Sequence, residues 1–163
     1  MKLSSEMIRE RFKECGLKTT PQRSAIYKAL AETTSHPTAD DLYRQVSKTY
    51  PMISQNTVYY TLSVLRDAGL VQEVNFWHDR ARFDANISPH HHLICLTCRS
   101  IADLNDNGLN HLSSPQGLPS DFQVIGHQGE FRGYCGACRQ KKNRHNIRSS
   151  TGHSRHTTKR RKV

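Results

Sequence analysis

The run SQNTVYYTLSVLRDAGLVQEV, residues 54–74, changes its hydrophobic period part-way along. Ser54 is a natural N-cap, Val58, Leu62 and Leu65 recur at helical spacing, and Gly69 is a stop signal. Beyond Gly69, Leu70, Val71 and Val74 begin a strand, Trp77-His78-Asp79 makes a turn, and Arg80 to Phe83 returns. A helix that hands over to a two-stranded ribbon, with further helices before it, is the plan of a winged helix-turn-helix. In that plan the helix enters the DNA major groove and the ribbon lies along the backbone. Its outward positions include Gln55, Asn56, Thr57, Tyr59, Tyr60, Ser63 and Arg66. Gln55, Asn56, Thr57, Tyr59, Tyr60 and Arg66 are the candidate DNA contacts, because amides, hydroxyls and a guanidinium suit phosphates and base edges. The same period also fits a four-helix lobe with a polar solvent face.

Upstream, residues 5–15 carry Met7, Ile8, Phe12 and Cys15 at helical spacing. Thr20-Pro21 caps and opens a second helix with Ile26, Ala29 and Leu30 on one face. Thr38 opens a third, with Asp40 and Asp41 in the first turn, where the helix dipole favours anions, and with Leu42, Tyr43 and Val46 turned inward. Pro51 lies past its end.

Downstream the chain is short-stranded: His91 to Leu96, Ser100 to Leu104, Phe122 to His127 and Glu130 to Tyr134 read as strands. A short helical segment near Gly108 to Ser113 and the loop SSPQGLPS separate the middle pair. Such a lobe buries little apolar surface. It carries two Cys-x-x-Cys knuckles, Cys95/Cys98 and Cys135/Cys138. Four thiolates in two pairs fill a tetrahedral structural Zn²⁺ site, which closes the loop between positions 98 and 135 and can supply on the order of 10 kcal/mol to folding. His90, His91 and His92 stand directly before the first knuckle and cannot join a full site, so they are candidates for a second metal. Strand alternation puts His90 and His92 on one side and His91 on the other.

Composition bounds the rest. With 163 residues and 35% hydrophobic content, the chain fits one or two small lobes, one of them held by metal. No apolar run approaches the roughly 18–20 residues of a membrane span, and MKLSSEMIRERF has no apolar h-region, so a cytoplasmic, reducing location with no membrane partner is expected. In that compartment paired cysteines read as metal ligands rather than disulfides. The leftover Cys15 reads as a partly buried helix residue without a function. The formal charge of +10 is unevenly placed: residues 139–163 hold ten Lys/Arg and no acid, residues 1–83 twelve bases and nine acids, and residues 84–138 two bases and five acids. The tail reads as a solvated segment whose cations would add non-specific, salt-sensitive affinity for DNA. A zinc-dependent hydrolase or deaminase is the remote alternative. It needs a general base beside the metal histidines, and His91 stands where a glutamate would be required.

Six ordered motifs then give a resemblance: Gly16-Leu17 with Thr20-Pro21-Gln22-Arg23; His36-Pro37-Thr38-Ala39-Asp40-Asp41-Leu42; Thr57-Val58-Tyr59; Ala68-Gly69-Leu70-Val71; Arg80-Ala81-Arg82-Phe83-Asp84; and His92-Leu93-Ile94-Cys95. Over roughly residues 5–138 the chain resembles the ferric uptake regulator superfamily of bacterial metal-dependent repressors. The resemblance implies an α+β fold, with a winged-helix DNA-binding domain at 1–83, a metal-binding α/β dimerisation domain at 84–138 and an extra basic tail at 139–163. It implies a homodimer that binds a two-fold, A·T-rich double-stranded operator, structural Zn²⁺ on Cys95, Cys98, Cys135 and Cys138, and regulatory Fe²⁺ or Mn²⁺ on His36, Asp84, His90, His92 and Asp103. Imidazole with carboxylate suits Fe²⁺, Mn²⁺ or Zn²⁺ in any case. Aspartates at 84 and 103, where iron-uptake repressors commonly carry glutamate, resemble the peroxide-responsive branch. In that branch iron-catalysed oxidation falls on ligand histidines, here His36 and His90. The alternative within the superfamily is an iron- or manganese-responsive uptake repressor that does not sense peroxide. Tyr60 departs from the usual recognition-helix residues, and a further histidine-rich site at His91, His111 and His127 is an open extra.

Overall fold

The structure is a computed structural model, and it describes residues 3–74, 81–111 and 117–141. The expected turn at 77–79, Arg80, the first part of the 113–120 loop and tail positions 142–163 lie outside these residues.

Four helices form the first lobe: α1 (Ser5–Glu14), α2 (Pro21–Ala31), α3 (Ala39–Val46) and α4 (Gln55–Asp67). Each starts where a hydroxyl can take up an orphan backbone N–H. Ser4 accepts from Met7, Thr20 from Arg23, Thr38 from Asp41 and Ser54 from Thr57. Thr38 and Asp41 close a reciprocal capping box. At the far end of α4, Gly69 adopts φ +71°, a left-handed conformation that a side chain resists. Val58, Leu62 and Leu65 of α4 are fully buried against Ile8, Phe12, Ile26, Leu30 and Leu42. Tyr27 is also buried, beyond the apolar positions that the helical period marks.

The wing follows. β1 (Gln72–Val74) pairs antiparallel with β2 (Arg82–Asp84), Glu73 opposite Phe83. Its first strand starts two residues later than Leu70, because Leu70 and Val71 pack into the helical core instead. Thr38 bridges to Arg82, which ties the wing to the start of α3.

The second lobe is a three-stranded sheet of order β4–β3–β5, with β3 (His91–Cys95) central. β4 (Ile101–Leu104) pairs with it antiparallel and β5 (Glu130–Gly133) parallel, so that Cys95 lies opposite Gly133. A single-turn helix, α5 (Asn107–Asn110), follows β4, and residues 136–141 are helical. Three expectations are corrected here. Phe122–His127 forms no strand; Phe122 and Ile125 are exposed, and without a sheet partner alternation alone does not hold a strand. Cys15 is exposed, at the C-cap of α1, rather than partly buried. Positions 139–141 belong to the helix after the second knuckle rather than to the tail.

Candidate metal centres

The first centre is built from the two knuckles. The β3–β4 turn presents Cys95 and Cys98, and it is closed by the Arg99 N–H donating to the Cys95 carbonyl with Arg99 at φ +59°. The residues after β5 present Cys135 and Cys138, the second of them on the 136–141 helix. All four sulfurs lie within 4.8 Å of one another, and Cys98 Sγ and Cys135 Sγ are 3.7 Å apart. Thiolates bound at about 2.3 Å in a tetrahedron stand about 3.8 Å apart, so the spacing suits one zinc ion. The Cys135 N–H donates to Cys95 Sγ at 3.3 Å and lowers that thiol to about 6, while a shared proton with Cys135 pushes Cys138 up to about 12. The Ser100 hydroxyl, 3.2 Å from Cys98 Sγ, lowers Cys98 as well. Protons held between crowded sulfurs are those a zinc ion displaces.

The second centre draws on both lobes. His36 comes from the loop between α2 and α3, Asp84 from the end of the wing, His90 and His92 from the start of β3, and Asp103 from β4. One donor atom from each of the five lies within 4.8 Å of the others. His36 Nε2 is 3.0 Å from Asp103 Oδ1 and 3.4 Å from Asp84 Oδ2; His90 Nε2 is 3.0 Å from Asp84 Oδ2 and 3.1 Å from His92 Nε2. Donors about 2.1 Å from a common ion stand roughly 3.0–3.4 Å apart, which matches these contacts. The contact between His36 Nε2 and Asp103 Oδ1 is close but misdirected: both atoms are buried, and neither makes a hydrogen bond. Buried polar atoms left in this state are costly unless an ion takes them up. The donor set and its spacing therefore fit a divalent cation.

Surrounding groups hold the ligands in place. His90 Nδ1–H donates to the Ser88 carbonyl at 2.7 Å, which leaves the Nε2 lone pair facing the centre. Burial pushes the Asp84 carboxyl up. The imidazoles of His36 and His92 and the Asn86 N–H outweigh it, so Asp84 stays ionised well below the usual carboxylate range. Gln72 Nε2 donates to Asp84 Oδ2 at 3.3 Å and to the Asn86 carbonyl at 2.7 Å. His36 is at φ +48°, a conformation that histidine adopts more readily than most residues but still at a cost. Its carbonyl is held by Arg82 Nη1 at 3.0 Å. Gln72, Ser88 and the guanidinium of Arg82 escape a reading by residue type. Gln72 and Ser88 carry no ligand signature, and Arg82 acts on a backbone atom.

His91 points away from this centre. Its Nδ1 accepts the Gly129 N–H at 2.8 Å, and a Cβ at Gly129 would stand 3.0 Å from that nitrogen, so a larger residue there would push on the His91 ring. The His127 ring lies 5.8 Å from it, His111 is exposed, and no group of converging ligands among the described residues joins the three.

On α4, Gln55, Asn56, Tyr59 and Tyr60 are exposed, whereas Thr57 is half-buried and bonded to Ser54. Arg66 is not a free cation. Its guanidinium donates to Glu73 at 2.9 Å and to Asp67, and those carboxylates raise its affinity for its proton.

Residues 14–131 match the sequence profile of the ferric uptake regulator family. The chain belongs to that family. It is 39% identical over 134 residues to the peroxide operon regulator of Bacillus subtilis strain 168, covering 82% of this chain and 92% of that protein. It is 37% identical over 129 residues to the peroxide-responsive repressor PerR of Staphylococcus aureus strain Mu50, covering 79% and 87%. Among solved structures, a zinc-bound manganese uptake regulator superposes with a TM-score of 0.61 at 26% identity, over 78% of this chain and 98% of that one. The fold and the metal-binding character of the family are thus carried by this chain, and its four-cysteine and His/Asp clusters are the groups that could hold a metal ion. No helix among the described residues is long and apolar enough to cross a membrane.

Proposed function

We propose that the protein is a cytoplasmic, homodimeric transcriptional repressor that binds a two-fold DNA operator when its inter-lobe site holds Fe²⁺ or Mn²⁺, and that peroxide releases it. The observation that carries this reading is the origin of the five ligands: His36 and Asp84 belong to the winged-helix lobe and its wing, His90, His92 and Asp103 to the sheet lobe. An ion held by both fixes the angle between them, and it shifts the equilibrium by its differential affinity for the two arrangements. Held by His36, Asp84, His90, His92 and Asp103, Fe²⁺ would supply the one-electron chemistry that splits hydrogen peroxide, so that overall one peroxide oxygen replaces a ring hydrogen of His36 or His90 and the other leaves as water. Everything else is done by the chain. Asp84 stays ionised, Ser88 orients His90, and Arg82 holds the loop of His36. An oxidised imidazole is a poorer donor, so the lobes part and DNA is released.

Gln55, Asn56, Tyr59 and Tyr60, exposed on α4, are the proposed groove contacts, with Thr57 at the helix start and Arg66 needing to leave Glu73 before it can reach a phosphate. The dimer reading is supported by the outer face of the sheet. Leu93 lies opposite both Phe131 and Ala102, and Leu93 and Phe131 are exposed with Tyr134 beside them. Phe131→Glu is expected to give a monomer by light scattering.

The test is operator binding by fluorescence anisotropy with Mn²⁺, with Fe²⁺, and with Fe²⁺ followed by brief H₂O₂. Metal-dependent binding that peroxide abolishes only in the iron form, with one added oxygen on the peptide holding His36 or His90, is the expected result. Binding that survives peroxide with both histidines unmodified marks a plain metal-responsive repressor, and zinc-dependent hydrolytic turnover would mark an enzyme.

A further inference from the structure

The three imidazoles of the inter-lobe centre are sealed from solvent, with side-chain exposure of 1% at His36 and 0% at His90 and His92. The carboxylates are not sealed: Asp103 is 22% exposed and Asp84 9%. Whatever reaches an ion held there must come in on the carboxylate side. A crevice of about 240 Å³ opens on that side and ends on Asp84 and Asp103. Leu3, Arg11, Leu30, Ala31, Thr33 and Thr34 form its wall from the helical lobe. Water occupies about 30 Å³ per molecule in the liquid, so the crevice holds several waters and admits a small solute without rearrangement.

Arg11 is the one cation on this wall. Its Nη1 donates to the buried Tyr27 hydroxyl at 2.9 Å, which anchors the guanidinium in place. Among the described residues it makes no ion pair, so its remaining N–H groups are not committed to a carboxylate. A fixed guanidinium that shares one crevice with the side chains of Asp84 and Asp103 opposes another cation and offers donors to a neutral, oxygen-bearing solute.

We propose that this crevice is the route by which hydrogen peroxide reaches the regulatory ion, and that Arg11 is a positioning residue that holds the peroxide by hydrogen bonds on the way in. The inference rests on the peroxide reading above and adds to it the path and the residue that selects what travels along it. Among the described residues Arg11 makes no hydrogen bond or ion pair with either ligand cluster, so its replacement removes no metal ligand.

Two variants separate passage from positioning. Thr34 is exposed at the mouth, so Thr34→Trp narrows the crevice without disturbing the core. Arg11→Met keeps the aliphatic stem and removes the donors. Each is loaded with Fe²⁺, and the rates of peroxide oxidation (by mass spectrometry) and of nitric oxide binding (by the paramagnetic signal of the iron–nitrosyl adduct) are compared with those of the unmodified protein. Nitric oxide is small and neutral and needs no hydrogen-bond donor. Thr34→Trp is expected to slow both reagents severalfold. Arg11→Met is expected to slow peroxide about tenfold, the worth of a charge-assisted hydrogen bond, with nitric oxide unaffected. Arg11→Lys should recover part of the loss; Thr34→Trp should keep equilibrium Mn²⁺ affinity and melting temperature, and Arg11→Met, which takes a donor from the buried Tyr27 hydroxyl, is compared at equal folded, iron-loaded concentration. Unchanged rates with both reagents in Thr34→Trp overturn the route, and equal slowing of both by Arg11→Met overturns the positioning role. If the unmodified protein binds nitric oxide but is not oxidised by peroxide, the peroxide reading fails, while slower nitric oxide binding in Thr34→Trp still supports the route.

Discussion

The two ligand clusters of this protein differ in the reach of the chain that builds them. The four cysteines all come from one lobe, at or just beyond the ends of two hydrogen-bonded strands, and they are all sulfur. The five His/Asp ligands come from a loop, a wing, a strand start and a neighbouring strand, and they mix nitrogen with oxygen. The lobes differ in the same sense. The sixteen buried residues of the main hydrophobic cluster all precede Asp84, whereas Ile94, Ile101, Cys95 and Cys138 are the buried apolar residues of the sheet lobe among those described. The sheet lobe thus has little apolar burial to hold it beside a metal at its cysteines, whereas the helical lobe has a core of its own. On the proposed reading, metal would serve the fold at one centre and the arrangement of folded parts at the other.

Removing zinc should break this contrast most sharply. Cys138→Ser is expected to lose the ion and the fold of the sheet lobe, and with it the dimer, while far-ultraviolet circular dichroism still reports the helices. A well-folded dimer free of zinc would erase the distinction. Next comes Leu62→Ala, at a fully buried position of α4, which should cost about 2–5 kcal/mol by denaturant unfolding and leave zinc content unchanged. Asp103→Ala should lower Mn²⁺ affinity about 100-fold or more by calorimetry, with melting temperature and zinc content kept, since even outer groups around a metal are worth roughly 10–100-fold. The smallest effect falls at the capping box. Thr38→Ala should cost about 1 kcal/mol at neutral pH. The Thr38 hydroxyl holds the Asp41 carboxyl below its ordinary value, so that stabilisation is present above about pH 4 and fades as pH falls, and the gap between variant and parent should narrow in acid melts.

Most of the helical lobe is legible because its signals are local. A hydroxyl stands before each helix, an apolar stripe runs along it, and Gly69 ends α4. The knuckles are legible because their spacing is their chemistry. The inter-lobe centre is legible only through the resemblance, since nothing in the order of residues brings His36 to Asp103. Phe122–His127 misleads because a strand depends on a partner that a single sequence does not name. Arg66 reads as a free cation, but Glu73 lies across from it, a pairing set by the geometry of the wing. Arg11 and Gln72 carry no motif at all, and their roles come from where packing leaves their ends.

β2 is only a tripeptide, Arg82–Asp84, yet it has three attachments: Arg82 clasps the backbone of His36, Phe83 sits in the apolar core, and Asp84 belongs to the His/Asp cluster. At about 3.3 Å per residue, the lever between carboxylate and ribbon is roughly 10 Å long and has no slack. A displacement begun at Asp84 has no loop in which to dissipate before it reaches the ribbon, so on the proposed reading loosening that one carboxylate is expected to release the histidine loop and shift β2 together.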